Sequence, residues 1–303
     1  MKTLEKREIP RCGFQTTFIG FGALEIGRDW GLGSQEERTR PDEDQAKAVL
    51  NRVLDLEINL IDTASAYHKS EERIGSSISS RRNEFILASK CGEHNDEPHT
   101  YYDFSYKAVK ESIDESLRKL KTDVIDIMQI HFGPDPEKVM RDGETVAAMK
   151  DAQKEGKIRY LGASIDGDLA RECIESGDFD VMQMNYSLLN QVNDENIKLC
   201  REKGIGVFIR GGFAMGKLTP RVIPNLKEDF REKARLIKML DLLDQDADRL
   251  ADAALQFLYE NRGISSVLIG TKTINHLEEN LHRLEQPIDQ AILDQLIKIG
   301  KEQ

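Results

Sequence analysis

Four side chains stand where proton chemistry is possible. Asp62 follows the apolar run Asn59-Leu60-Ile61, and Tyr67 comes a few residues later. Lys90 closes the run Phe85–Ser89, and His131 closes the run Val124–Ile130. Asp62, Lys90 and His131 are each the first charged or titratable group after an apolar run. Singly, each has a plain structural reading: a helix cap, a solvated strand end, a satisfied rim histidine. Together they supply an acid, a base and a proton donor, and the joint reading favours chemistry. A tyrosine hydroxyl has an ordinary pKa near ~10, so it is a poor acid at pH 7 until a neighbour stabilises its anion. A nearby lysine ammonium does that and draws the pKa toward the range of efficient general acid catalysis. A carboxylate keeps the lysine charged and in place, and a histidine orients a substrate oxygen. Carbonyl reduction needs these parts: a proton for the developing alkoxide and a hydride from a cofactor.

Such a set works only if the elements beneath it converge. Short apolar runs alternate with longer amphipathic stretches: Ile58–Ile61, Phe85–Ser89, Val124–Ile130, Ile158–Gly162, Val181–Asn185, Gly206–Ile209 and Ser266–Ile269. Most lack in/out alternation, as strands of a parallel sheet buried on both faces do. Helical spacing fills the gaps, as in Ala46, Val49, Leu50, Val53 and Leu54, in Tyr106, Val109, Ile113, Leu117 and Leu120, and in Leu250, Ala254, Leu255 and Leu258. With Thr17–Gly22 as a further strand, the order predicts a (β/α)8 barrel, with a doubly wound sheet as the alternative. Residues 1–16 read as a hairpin ahead of the barrel. Residues 28–42 read as a polar loop after the first strand and 219–247 as a long polar connection with some helix after the seventh, both on the catalytic face. No repeat or linker interrupts 1–303, which reads as one domain.

The chain has 303 residues, of which 39% are hydrophobic, and a net charge of −11. The apolar content supports a core, and the acidic balance argues against nucleic acid or an anionic membrane as partner. No apolar run is long enough for a transmembrane helix, and the N-terminus lacks a secretory signal. Cys12, Cys91, Cys173 and Cys200 are scattered, which reads as reduced thiols in a cytoplasmic protein. The segment Gly211–Lys217 reads G-x-x-x-x-G-K, but Leu218 stands where a Walker loop needs Ser or Thr. A P-loop hydrolase is thereby disfavoured. His94 and His99, five apart in what reads as a polar loop after Lys90, and His68, His276 and His282 lack metal-ligand spacing and read as solvated surface groups, and no metal is expected.

The motifs taken together resemble the aldo-keto reductases. The carriers are Asn59-Leu60-Ile61-Asp62-Thr63-Ala64-x-x-Tyr67 with Ser70-Glu71-x-x-x-Gly75, Ala88-Ser89-Lys90, Gln129-Ile130-His131, Gly156-Lys157-Ile158-Arg159-x-Leu161-Gly162-x-Ser164, Gln183-x-Asn185-Tyr186-Ser187, and Glu278-Glu279-Asn280. The resemblance spans roughly residues 16–285. It implies NADPH, or NADH, extended across the C-terminal mouth of the barrel. It implies Tyr67 as general acid, tuned by Lys90 and Asp62, with His131 orienting the carbonyl of a small-molecule substrate. It further implies that Ser164 and Gln183 hold the nicotinamide carboxamide and that Arg210, Gly211, Gly212, Gly216 and Lys217 cross the pyrophosphate. By the same resemblance Gly22, Ala23 and Gly270 would line the groove, Thr271 and Lys272 would meet the 2′-phosphate beside His276, and Glu279 and Asn280 would hold the adenosine end; Lys272 reads equally as a solvated loop lysine.

The chain departs from that pattern in four places. Ile165 replaces an asparagine, Arg210 the nicotinamide-stacking aromatic, His276 an arginine and Glu57 a helix-ending glycine. Trp30, in the loop after the first strand, is either a substrate contact or a buried anchor. The reading is a carbonyl reductase. Alternatives of the same fold are a nicotinamide-binding regulatory subunit with little turnover, and an alcohol dehydrogenase or NADH enzyme. Oligomeric state is not encoded in these patterns.

Overall fold

The structure is a computed structural model that describes residues 4–31 and 34–302. Its strands are β1 (Lys6–Ile9), β2 (Phe14–Thr17), β3 (Ile19–Gly22), β4 (Leu60–Asp62), β5 (Ile86–Cys91), β6 (Glu93–Asp96), β7 (His99–Tyr102), β8 (Ile125–His131), β9 (Ile158–Ser164), β10 (Val181–Asn185), β11 (Gly206–Arg210) and β12 (Ser266–Gly270). Eight of them close a parallel barrel in the order β3-β4-β5-β8-β9-β10-β11-β12, with β12 returning to β3. This is the expected (β/α)8 architecture, not the doubly wound sheet.

Alternation along these strands sorts side chains into a floor and a mouth. Leu60 and Asp62, Ala88 and Lys90, Ile127 and Gln129, and Val181 and Gln183 are pairs two residues apart, so both members face the barrel interior. The first member of each pair joins a floor cluster with Ile9, Cys12 and Phe208. Ile9 and Cys12 come from the antiparallel hairpin β1–β2, which plugs the N-terminal end of the barrel. The plug is tight: a Cβ on Gly206 would fall 2.8 Å from Ile9. The second member of each pair stands one layer higher, toward the C-terminal mouth.

The outer helices follow the apolar spacing read from the sequence. Glu43–Asp55 buries Ala46, Val49, Leu50, Val53 and Leu54, and the Asp42 side chain caps its N-terminus by accepting from Gln45 N–H. Tyr106–Leu120 buries Val109, Ile113 and Leu120 and is capped by Ser105. Ala247–Glu260 buries Leu250, Ala254, Leu255 and Leu258. Glu57 adopts φ 60°, the left-handed conformation that favours glycine.

Two expectations need correction. Thr17 ends hairpin strand β2, and the first barrel strand begins at Ile19, because Thr17 is diverted to bond Asn59. The stretch after Lys90, read as a polar loop, forms the hairpin β6–β7. The helix expected within residues 219–247 is present as Lys233–Leu242, preceded by a 3-10 segment, Pro220–Lys227, and together they bury Val222, Leu236, Met239 and Leu240. The loop 28–42 includes residues 32 and 33, which lie outside the described residues. Among the described residues, no helix is long and apolar enough to cross a membrane.

Candidate active site

The strand ends bring Asp62, Lys90 and His131 together with Tyr67. Lys90 is fully buried, and its ammonium lies 2.5 Å from Asp62 Oδ2 and 2.9 Å from the Thr63 carbonyl oxygen. Tyr67 sits in the turn after β4. Its N–H donates to the Ala64 carbonyl, and its own carbonyl accepts from Ser70 N–H. Ser70 in turn donates to the Ala23 carbonyl, so the turn is tied to the end of β3. Gly27 packs against the same turn: a Cβ there would come 2.2 Å from the Tyr67 carbonyl oxygen. The Lys90 nitrogen lies 4.9 Å from the Tyr67 ring centroid, close enough for its charge to act on the hydroxyl. The His131 ring meets Tyr67 edge-on at 5.9 Å.

Three more side chains complete this chain: Gln129 and Glu93, which the sequence reading missed, and Gln183, which it read only as a holder of the nicotinamide carboxamide. Gln129 and Gln183 each donate from Nε2 to Asp62 Oδ1, both at 2.8 Å. Asp62 therefore faces Lys90 with one oxygen and two amides with the other, which fixes it in a single pose. Glu93, from β6, places Oε2 2.8 Å from His131 Nδ1 and accepts from the Thr100 hydroxyl at 2.7 Å through Oε1. Gln129 was in view as a strand residue, but its inward direction follows only from counting back from His131 by two. Glu93 carried no signal, because it lies in a hairpin that the polar composition concealed.

Burial dominates the electrostatics. It raises the Tyr67 hydroxyl above its usual value, against the pull of Lys90, so the expected lowering is outweighed. Burial alone would lower Lys90, but Asp62 and Tyr67 more than offset it and hold the ammonium charged. Burial, with Lys90 nearby, lowers His131 despite the hydrogen bond and charge of Glu93. Glu93 would be raised by burial, yet His131, Thr100 and Arg28 bring it below the usual carboxylate value. A second buried acid, Glu71, accepts from Ser89 and Ser116 at 2.6 and 3.1 Å, and burial raises its carboxyl. All four cysteines are free and buried, and burial pushes the Cys91 thiol up to about 12.

The remaining expected site residues fall into two groups around the mouth. Ser164 donates to Gln183 Oε1 at 3.3 Å, so both already have partners within the layer. Arg210 pairs with Asp166 at 2.5 Å, and Asp166 is fixed by Asn185 N–H and Asn193. Gly211 and Gly216 have φ 67° and 92°, and Ala214 and Met215 between them are also left-handed, at 49° and 56°. Gly212 packs under this turn against Leu258 and Val267. Lys217 turns away to Glu232 at 2.7 Å and lies over Phe230. Gly22 pairs with Gly270 across β3 and β12, and Ala23 N–H donates to the Asp62 carbonyl.

Just past β12, Lys272 donates to the carbonyls of Glu36, Glu37 and Thr39. Thr271 bonds the Thr273 carbonyl, His276 approaches Arg221 at 3.5 Å, and Asn280 bonds the His276 carbonyl, with Glu279 exposed beside it. Arg221, which the sequence reading did not single out, shares with Lys272 an electrostatic hold on Glu25 and Glu37. Trp30 is 43% exposed, so it is no buried anchor. His68 and His94 are not solvated either. His68 Nδ1 meets Asn95 at 2.5 Å, while His94 stacks on Tyr101 and meets the Asp103 carbonyl, so the hairpin buries both.

A parallel barrel whose mouth holds a buried Lys90–Asp62 pair beside Tyr67 and His131, with Arg221 and Lys272 past the end of β12, is built as an NAD(P)H-dependent oxidoreductase. Comparison with known proteins agrees. The model of the Aldo/keto reductase family matches residues 18–301, and the chain belongs to that family. It is 28% identical to the uncharacterised oxidoreductase YqkF of Bacillus subtilis, over 92% of this chain and 90% of that one. It is 29% identical to L-galactose dehydrogenase of Arabidopsis thaliana, over 93% and 88%. It is 28% identical to the NADH-specific methylglyoxal reductase of Escherichia coli, over 77% and 81%. The holo form of aldo-keto reductase AKR11C1 from Bacillus halodurans superposes with a TM-score of 0.82 at 29% identity, covering 99% of this chain and 97% of that one.

Proposed function

We propose that residues 1–303 form one cytoplasmic barrel domain that reduces an aldehyde or ketone to an alcohol with NADPH, Tyr67 giving the proton. The observation that carries this reading is the buried pair Lys90–Asp62, braced by Gln129 and Gln183, with the half-buried Tyr67 set over the Lys90 ammonium. Burial keeps Tyr67 protonated at neutral pH, so it is a donor in waiting. As its proton leaves, the Lys90 ammonium stabilises the phenolate, and Asp62 keeps Lys90 charged. His131 orients the reacting oxygen from the opposite side.

The residues suit a nicotinamide cofactor. The left-handed residues of Gly211–Gly216 fold the backbone into a tight turn at the mouth, and Arg221 and Lys272 gather positive charge at the distal end, with His276 beside Arg221. Ser164, Gln183 and Arg210 would hold the nicotinamide end, Gly22, Ala23, Gly212 and Gly270 the groove, and Thr271, Lys272, Glu279 and Asn280 the adenosine end. When bound, the cofactor supplies the hydride for the carbonyl carbon. The distal cations favour a 2′-phosphate, hence NADPH. The names of the Escherichia coli and Arabidopsis relatives describe aldehyde reduction and sugar oxidation, two directions of one chemistry.

Tyr67→Phe tests the reading. Turnover of an aldehyde panel should fall by roughly 10²–10⁴, while NADPH affinity measured by calorimetry stays unchanged. Unchanged turnover would remove Tyr67 from the mechanism. NADPH binding by the unmodified protein without turnover of any carbonyl would instead favour a regulatory nicotinamide-binding subunit.

A further inference from the structure

Gln129 is fully buried in β8, and the two ends of its amide are treated differently. Nε2 donates to Asp62 Oδ1 at 2.8 Å. Oε1 is buried and has no partner among the described residues. Turning the amide over would set Oε1 against Asp62 Oδ1, acceptor facing acceptor, so Asp62 selects the pose. A buried acceptor without a partner costs free energy that an apolar side chain of the same size would not incur. The neighbouring strand bears a second cost for the same side chain. Gly162 stands opposite Gln129 in β9, and a Cβ there would come 2.8 Å from Gln129 Cγ and 3.0 Å from the Val181 carbonyl oxygen. Gly162 is not left-handed, so the glycine provides space rather than a special backbone conformation, at the loss any glycine brings to a strand. Both costs converge on one hydrogen bond to Asp62. Packing alone would be served as well by a methionine.

We infer that Gln129 is a positioning residue for proton donation, whose amide keeps Asp62 Oδ1 pinned when the other amide on that oxygen, Gln183, is shared with the cofactor. Gln183 already divides its bonds, accepting from Ser164 through Oε1 and donating to Asp62 through Nε2. The reductase reading, on which this inference rests, also gives it the nicotinamide carboxamide. Gln129 has Asp62 alone. With Oδ1 pinned, Oδ2 stays on the Lys90 ammonium at 2.5 Å, and Lys90 stays against the Tyr67 ring. A carboxylate free to swing would draw the ammonium with it as Tyr67 gives up its proton. A pinned one leaves the ammonium where the phenolate forms. Gln129 therefore acts through Asp62 rather than on the substrate.

Three variants test this by melting temperature, NADPH calorimetry and steady-state reduction of methylglyoxal and benzaldehyde. Gln129→Met removes the amide and keeps the volume. Its melting temperature should hold or rise, and NADPH affinity and KM should stay unchanged. Its kcat should fall roughly ten- to a hundredfold, the worth of one hydrogen bond to a charged group. A purely structural Gln129 gives the reverse, a lower melting temperature with kcat retained, and that result overturns the proposal. Gln129→Glu restores the bond conditionally. Protonated, its O–H donates to Asp62 as the amide did; ionised, it opposes Asp62, and two carboxylates in contact hold a shared proton well above the usual carboxylate range. The other titratable groups there, Lys90 from β5, Tyr67 from the turn after β4 and His131 farther along β8, are common to parent and variant. The readout is therefore the ratio of variant to parent kcat. It should rise about tenfold per pH unit as pH falls toward that shared proton, then level off. A ratio that is flat with pH overturns the proposal, even if Gln129→Met folds poorly. Turnover lost in Tyr67→Phe but kept in Gln129→Met overturns this proposal alone, and turnover kept in both overturns the reductase reading with it.

Discussion

Replacing Asp62 by asparagine should reverse the pH dependence that Lys90 contributes to stability. The Lys90 ammonium is fully buried with Asp62 Oδ2 at 2.5 Å, so the substitution strands a cation in the barrel. At an effective dielectric of about 20, the attraction lost is roughly 6–7 kcal/mol. Lys90 has an escape, which is to shed its proton. From an ordinary lysine value near ~10.4, doing so at pH 7 costs about 4–5 kcal/mol. The smaller figure sets the loss, in keeping with the roughly 3–5 kcal/mol seen when one partner of a buried pair is removed. The melting temperature should drop by about 8–16 °C.

The signs separate this from generic damage. In the parent protein Asp62 holds Lys90 above its ordinary value, so its contribution is complete below that value and is lost as pH rises through the folded one. In Asp62→Asn, burial has no opponent and depresses Lys90, so stability is lost as pH falls below the ordinary lysine value. The deficit relative to the parent should therefore shrink by up to ~1.4 kcal/mol per pH unit from pH 7 to 10. Urea unfolding followed by far-ultraviolet circular dichroism across that range reads it. Adding Lys90→Met to Asp62→Asn should abolish the slope. A deficit that is constant with pH, or a slope that survives Lys90→Met, would refute the reasoning.

Two further outcomes are expected. Lys272→Ala should weaken NADPH roughly ten- to a hundredfold by calorimetry and NADH far less, the loss of a charge-assisted contact to the 2′-phosphate; equal losses would leave Lys272 only its tether to the carbonyls of Glu36, Glu37 and Thr39. Glu57→Gly should relieve the φ of 60° and stabilise by about 0.5–1 kcal/mol, visible as a melting temperature a few degrees higher, and a lower one would show that the Glu57 side chain holds more than the backbone strain removes.

The legibility of this chain follows from how its residues are constrained. Barrel strands such as Val181–Asn185 stand out because both faces are buried, so no polar alternation dilutes the run. Asp62, Lys90 and His131 stand out because a charge at the end of such a run can only lie at its rim. Gln129 and Gln183 are uncharged and sit inside runs, so their convergence on Asp62 depends on barrel closure, which no local pattern carries. The hairpin bearing Glu93 is polar on both strands, and what holds it is contact with the rim: His94 on Tyr101, and Phe104 over Gly92. The sign of the Tyr67 shift also escaped, because the pull of Lys90 is visible in the sequence whereas the depth of burial is not.

The hairpin plug makes the barrel a cup, and cups divide labour by height. Leu60, Ala88, Ile127 and Val181 lie on the same strands as Asp62, Lys90, Gln129 and Gln183, one storey lower. A lineage, or a protein engineer, can therefore recompose the ground storey for heat tolerance while the upper storey keeps its chemistry, and can refit the upper storey for a new reactant on unaltered foundations.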